Sequence, residues 1–255
     1  IWADRARQLC RTFFEPEFTE FERGPLVRLS GLATMTQYES TFPVPAAFAP
    51  QSLTNTLGEV VSGLGLKQLR IAETEKYAHV TYFLNAGLEE PLPGEDRLLI
   101  PSPREVATYD EKPAMSAPDV TDLLLKKMDG YDLIVCNLAN LDMVGHTGII
   151  PAAIQAVEVV DGCVGRLVEA MLKAGGRVLL TADHGNAEEM IDAKGGPQTA
   201  HSLNDVPLVY IEQLREAASL KEGKLGDLAP TILGLWGVER PAEMTGEMLV
   251  TLPAG

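Results

Sequence analysis

Residues 132–148 read DLIVCNLANLDMVGHTG, and the way this stretch divides settles the fold class. DLIVCNLAN reads as a buried strand, because a short apolar run without polar alternation is what a parallel strand covered on both faces requires. If the chain turns helical at its end, Asp142 and His146 stand four residues apart and present a carboxylate and an imidazole side by side. The strand RVLLTADHG (177–185) delivers Asp183 and His184 at its carboxyl end, and TAHSLNDVPL (199–208) holds His201. Three of the chain's four histidines fall in these phrases. Neutral imidazoles and ionised carboxylates are the donors that Mn2+ or Zn2+ accept, so Asp142, His146, Asp183, His184 and His201 together read as a metal site. In open α/β sheets such groups gather beyond the carboxyl ends of strands, so each phrase is expected beside a buried parallel strand.

Each of these residues, taken singly, has an ordinary structural reading. Asp-His-Gly suits a strand-ending turn, with Asp183 capping a helix and Gly185 supplying a positive φ. Asp142 serves equally as an N-cap, and an isolated His146 or His201 is most often a surface side chain. The joint occurrence of the three phrases, each beside an apolar run, carries the metal reading.

Outward from this core the pattern alternates as a doubly wound fold does. TNTLGEVVSGLGL (54–66) predicts a helix ending at glycine, KQLRIAE (67–73) and RLLIPS (97–102) strands, and HVTYFLNAG (79–87) a segment entering a turn. DVTDLLLKKM (119–128) predicts a helix that Asp119 can cap, and residues 149–176 a long helix with apolar residues every three or four positions. VPLVYI (206–211) adds a strand and DLAPTILGLWG (227–237) a closing helix that ends at Gly237. Before this region, WADRARQLCRTFF (2–14) suits a helix with Leu9, Phe13 and Phe14 on its apolar side, and LVRLSGLATMTQY (26–38) a strand. PVPAAFAP (43–50) is the best candidate linker, since three prolines in eight residues resist helix and central strand alike.

The 255 residues, 45% apolar and only 6% aromatic, fit a soluble α/β protein with a substantial core. A formal net charge of −15 argues against nucleic acid or an anionic membrane as partner, and means that an anionic substrate needs a local basic or metal-bearing pocket. Cys10, Cys136 and Cys163 are odd in number and widely spaced, as free thiols of a cytoplasmic protein are. No stretch approaches the roughly 20 apolar residues of a membrane span, and no signal peptide is visible.

ETEKYAHVTYFLNAG (73–87), NLANLDMVGHTG (137–148), TADHGNAEEM (181–190), KLGDLAPTILGLWGVERPAEMTG (224–246) and ADRARQL (3–9) together resemble the cofactor-independent (2,3-bisphosphoglycerate-independent) phosphoglycerate mutases of the alkaline phosphatase superfamily. The resemblance runs over essentially the whole chain, in family order. It implies an alkaline phosphatase-like, doubly wound α/β sheet lacking its amino-terminal segment. Residues 1–46 would be the tail of an inserted transferase domain, and residues 47–255 the second segment of the phosphatase-like, metal-binding domain. It also implies interconversion of 3-phosphoglycerate and 2-phosphoglycerate, a step of glycolysis, through a phosphoserine intermediate. Two Mn2+ ions are implied, with Zn2+ or Co2+ as substitutes: Asp142, His146 and His201 would hold one, and Asp183 and His184 would contribute to the other. Lys76 matches the lysine beside the phosphoryl group, and Arg5 an arginine that clamps the substrate. A solvated strand-end lysine and a helix-surface arginine are their ordinary readings; His79 reads as a second donor shell or simply as a packed ring.

The departures from the family pattern matter as much. Trp2 stands where the pattern has a further arginine, which weakens a bidentate grip on phosphate or carboxylate. The nucleophilic serine, and an aspartate for the second ion, come in this family from an amino-terminal segment that the chain does not contain; Ser102, Ser116 and Ser202 read as turn or cap serines. The chain alone is therefore expected to have little or no mutase activity. A second chain, or altered packing, is expected to cover the surface that the missing segment leaves. Two alternatives stay open: another phosphatase or a phosphopentomutase of the same superfamily, and a non-catalytic truncated fragment.

Overall fold

All six residues of β3 (Gln68–Glu73) are buried, so this strand needs cover on both faces and neighbours on both edges. It has them. β4 (Glu95–Ile100) and β5 (Leu133–Cys136) flank it, both parallel, with Gln68 opposite Glu95 on one side and Leu133 on the other. The computed structural model of the protein describes residues 3–27, 29–48, 53–213 and 218–252, without the side chains of 3–5. Two compact units are distinguished, Ile1–Leu53 and Thr54–Gly255.

In the larger unit the sheet is covered by helices on both faces. Leu69 and Ile71 of β3 cluster with Val120 and Leu124 of α4 (Ala117–Lys127), and Ile134, Cys136 and Leu167 pack on the same side, the last from α6 (Ile150–Lys173). Leu133 and Val135 face the other way, into a cluster with Leu57 and Val61 of α2 (Leu57–Gly63) and Leu233 of α7 (Leu228–Leu235). The alternation along β5 is thus apolar on both sides, as its sequence requires. A Thr56–Glu59 capping box starts α2, and the chain leaves α2 and α7 through Gly65 and Gly237, both at positive φ. The even-numbered face of β3 carries two buried polar residues beside Ala72: Gln68 Nε2 donates to the Gly58 carbonyl, and burial pushes the Arg70 guanidinium down to about 10 against the opposing pull of Glu95.

Several expectations change. α4 begins at Ala117, so Asp119 lies inside its first turn, where it favours the helix dipole without capping it. β5 ends at Cys136, shorter than DLIVCNLAN, because Asn140 opens a new helix, α5 (Asn140–Gly145). The main correction concerns β6 (Arg177–Thr181) and β7 (Leu208–Glu212). They pair with each other, antiparallel, in a sheet separate from β3–β5, and are only half-buried. An unbroken apolar run does not encode strand direction, and the return loop between these two places the carboxyl end of β6 beside the amino end of β7. A short antiparallel pair, β8 (Ser219–Leu220) with β9 (Val250–Thr251), completes the unit, and the turn Tyr77–Val80 forms a brief helix, α3.

The smaller unit holds α1 (Ala3–Phe14) and a parallel pair, β1 (Thr34–Thr36) with β2 (Ala46–Phe48). Arg23 donates to the carbonyls of Thr12 and Glu15, closing the end of α1. Leu9 and Phe13 are largely exposed while Phe14 packs edge-on against Phe42. The strand expected over 26–38 is reduced to Thr34–Thr36.

Candidate metal centre

α5 exists to carry two side chains. Its start is pinned by the fully buried Asn140, whose amide donates to the carbonyls of Pro113 and Ala114. Its face toward α6 is packed through Ala139 and Val144 against Ala152, Ala153 and Ala156, small residues that let the two helices approach closely. One helical turn then sets Asp142 in the first turn and His146 at the C-cap, with His146 Nε2 3.1 Å from Asp142 Oδ1.

The loop joining β6 to β7 brings the other donors to the same place. His201 Nε2 lies 2.9 Å from Asp142 Oδ1 and 3.1 Å from His146 Nε2. His184, just past β6, stacks on the His201 ring at 3.7 Å and sits 3.9 Å from Asp142 Oδ1. Asp183 lies beside it, its Oδ1 3.6 Å from His184 Nε2. All five expected ligands therefore meet at one end of the unit, although β6 is not the parallel strand that was expected to deliver them.

The protonation pattern suits cation binding. His146 Nδ1 is 2.6 Å from the Thr199 carbonyl. A carbonyl only accepts, so Nδ1 donates there, and Nε2 is the ring nitrogen turned toward Asp142. Burial alone would raise the Asp142 carboxyl, but hydrogen bonds from Lys76 and Asn186, with the positive charge of Lys76, hold it at about 2. Asp142 Oδ1, His146 Nε2 and His201 Nε2 form a triangle with sides of 2.9–3.1 Å. Adjacent ligands of an octahedral ion bound at about 2.1 Å stand about 3.0 Å apart, so this donor set fits one divalent cation. Donor atoms of Asp142, His184 and His201 also lie within 4.8 Å of one another.

Lys76 stands at the middle of the cluster. It follows β3 in a single turn, is only 4% exposed, and places Nζ 2.6 Å from Asp142 Oδ2, 3.5 Å from His184 Nε2 and 3.9 Å from Asp183 Oδ2. It is not the solvated lysine of its ordinary reading. His79 is packed edge-on against Phe83, with Nδ1 unpartnered among the described residues and its basicity lowered by burial and by Lys76. The three serines have structural partners: Ser102 donates to the buried Glu73, Ser116 to the Pro101 carbonyl, and Ser202 to Glu188. Burial raises the Glu73 carboxyl, the Ser102 hydroxyl partly opposing it. The side chain of Arg5, and Trp2 altogether, lie outside the described residues.

Residues 25–240 match the sequence profile of the metalloenzyme superfamily. The chain belongs to that superfamily. Among curated relatives, the 2,3-bisphosphoglycerate-independent phosphoglycerate mutase of Nitratidesulfovibrio vulgaris is 61% identical over 251 residues, covering 98% of this chain and 49% of the relative. The protein of the same name from Pseudomonas aeruginosa is 54% identical over 253 residues, again covering 98% and 49%. A crystal structure of Leishmania mexicana phosphoglycerate mutase at low cobalt concentration superposes with a TM-score of 0.78 at 30% identity, over 96% of this chain and 48% of that one. The chain thus spans about half the length of the curated relatives it matches. The kinship read from the motifs and the α/β fold class both stand.

What the sequence did not single out is the ring of groups around the ligands: Asn186, Glu188 and the Thr199 carbonyl. Asn186 and Glu188 lie inside TADHGNAEEM, but nothing local says what they touch. The one available signal was Gly145, a helical glycine between Asp142 and His146.

Proposed function

We propose that this chain is the metal-binding part of a phosphoglycerate mutase that interconverts 3-phosphoglycerate and 2-phosphoglycerate in glycolysis, in the cytoplasm, through a phosphoserine intermediate. The observation that carries the reading is Lys76, a buried ammonium 2.6 Å from Asp142 within a set of Asp and His donors. Phosphoryl transfer asks for alignment and for positive charge on the phosphoryl oxygens, and little else. In this reading Asp142, His146 and His201 hold one Mn2+, and Asp183 and His184 contribute to a second, Zn2+ or Co2+ being able to replace it. When bound, the ions supply Lewis-acid neutralisation of the phosphoryl oxygens and acidify the attacking hydroxyl. Thr199 keeps His146 in the tautomer that donates through Nε2. Lys76 contacts the phosphoryl group and stabilises the charge that develops there, and Arg5 binds the substrate's anionic groups.

The hydroxyls of Ser102, Ser116 and Ser202 are committed to Glu73, Pro101 and Glu188, which supports a nucleophilic serine supplied from outside these 255 residues. Residues 1–46 are read as the tail of an inserted transferase domain and 47–255 as part of the phosphatase-like domain. A second chain or the remainder of a longer protein completes the site, and the 255 residues alone convert little or no substrate.

The test is a steady-state assay with 3-phosphoglycerate on a protein of the relatives' full length containing this sequence, with Mn2+ present. Turnover to 2-phosphoglycerate is expected, and Lys76→Met should lower kcat by about 10²- to 10³-fold, the usual loss when one charge-stabilising group is removed. Hydrolysis of phosphate monoesters without isomerisation would replace the mutase reading with a phosphatase.

A further inference from the structure

The metal ligands converge because a second set of side chains holds them, and that set has its own geometry. Asn186 is 3% exposed, and its Nδ2 donates both to the Asp142 main-chain carbonyl at 3.2 Å and to Asp142 Oδ1 at 3.0 Å. The amide therefore grips the residue by backbone and side chain together. Lys76 takes the other carboxylate oxygen, so the Asp142 carboxylate is fixed from both sides.

Asn186 fits there only because residue 145 is glycine. A Cβ on Gly145 would lie 2.4 Å from Asn186 Oδ1 and 2.8 Å from its Cγ, closer than atoms pack. Gly145 is helical and has no positive φ, so its requirement is for space and not for backbone freedom. The other arm of the same residue reaches the His201 segment. The Asn186 main-chain N–H donates to Glu188 Oε2 at 2.7 Å, and Glu188 Oε1 accepts from the Ser202 hydroxyl and from Asn204 Nδ2 at 3.1 Å. Ser202 N also donates to the Gly185 carbonyl at 3.1 Å, closing a bridge between the two loops.

We infer that Asn186, seated against Gly145, is a positioning residue that sets the orientation of Asp142 for the cation and couples it, through Glu188, to His201. The inference rests on the metal-centre reading under Proposed function. Groups that orient a ligand without touching the metal typically account for about 10- to 100-fold in affinity. Asn186→Ala should therefore weaken Mn2+ binding about 10- to 100-fold without abolishing it, whereas His146→Ala removes a ligand outright. Gly145→Ala should weaken binding similarly by expelling the Asn186 side chain. In the Asn186→Ala background that cause is gone, so the double variant should bind as the single Asn186→Ala does, a non-additive cycle.

The measurement is equilibrium dialysis of the 255-residue chain against Mn2+, with the visible absorption of the Co2+-loaded forms and thermal unfolding in chelator for each variant. Expected are about one tightly held ion in the parent chain, the two weakened single variants, the non-additive double, and an altered Co2+ spectrum in Asn186→Ala. Asn186→Ser, too short to reach Asp142, replaces the alanine variant should that fail to fold and carries the same expectation. Parent-like affinity and spectrum in Asn186→Ala, or additive losses in the double variant, would overturn the positioning role while leaving the metal centre standing. No ion bound by the parent chain would overturn the metal-centre reading itself, and the positioning role with it.

Discussion

Lys76 is an unusual choice for the middle of the proposed cation site, because its ammonium would compete with the metal for the same negative potential. At 4% exposure and 2.6 Å from Asp142, its charge is neither diluted by solvent nor free to move away. A unit charge about 5 Å from a bound divalent ion opposes binding by about 2 kcal/mol at the dielectric of water, and by several times that at the effective dielectric of a protein site. Lys76→Met should therefore tighten Mn2+ binding by about tenfold or more at pH 7.5 even as it lowers turnover in the full-length protein. Titration calorimetry reads the first effect and the isomerase assay the second. Weaker metal binding in Lys76→Met would mean that the lysine acts mainly by holding Asp142 in place. At this scale the sequence was legible where chemistry sits in the residue types: Asp142, His146, Asp183, His184 and His201 were named from their phrases, whereas Lys76 came only from the family resemblance. Asn186 was not, because its meaning depends on a contact with Asp142, 44 positions away in the chain.

The elements hold the site through carboxylates that serve as rigid ties. Asp227 accepts from Lys224 Nζ and from the main-chain N–H groups of Lys224 and Glu247, fixing the start of α7 to the strand region near β9, and these bonds hold it at about 2. Glu188, held at about 2 chiefly by the Ser202 hydroxyl, and Asp142, held at about 2 against its burial, behave alike. The sign follows from linkage: a carboxyl with a folded pKa below its unfolded value, roughly 4, binds more protons when unfolded. Its contribution is complete above about pH 4 and is lost as the pH falls toward 2. Urea midpoints should thus be flat from pH 7 to 5 and fall between about pH 4 and 2, and Asp227→Asn should reduce the steepness of that fall. An unchanged acid slope in Asp227→Asn would remove this residue from the account. Periodicity gave α2, α6, α7 and the three parallel strands because their burial repeats along the chain. It misjudged β6, since Val178, Leu179 and Leu180 look the same in a parallel strand as in an antiparallel pair.

Within the larger unit, apolar surface is left where no element covers it. Along α6, Ile150, Ile154 and Val157 recur at helical spacing and are 39%, 55% and 48% exposed, while Ala152, Ala153 and Ala156 on the opposite side are buried. Among the described residues β5 pairs only with β3, and β6 only with β7, so each of these strands also keeps one unpaired edge. On a strongly acidic chain, with its formal charge of −15, charge repulsion between copies opposes self-association through a stripe of this kind. That balance can be tested with one substitution. Ile154→Glu at a solvated helix position should change stability by no more than about 0.5 kcal/mol. It should also reduce the fluorescence of a hydrophobic dye bound to the native chain, most visibly at high salt, where screening otherwise brings copies together. Should the substitution instead destabilise the chain by more than about 2 kcal/mol, the stripe would be covered in solution by a contact within or between chains. Sedimentation of the parent chain at low and high salt separates those two cases, because only a contact between copies raises the mass as the charge is screened.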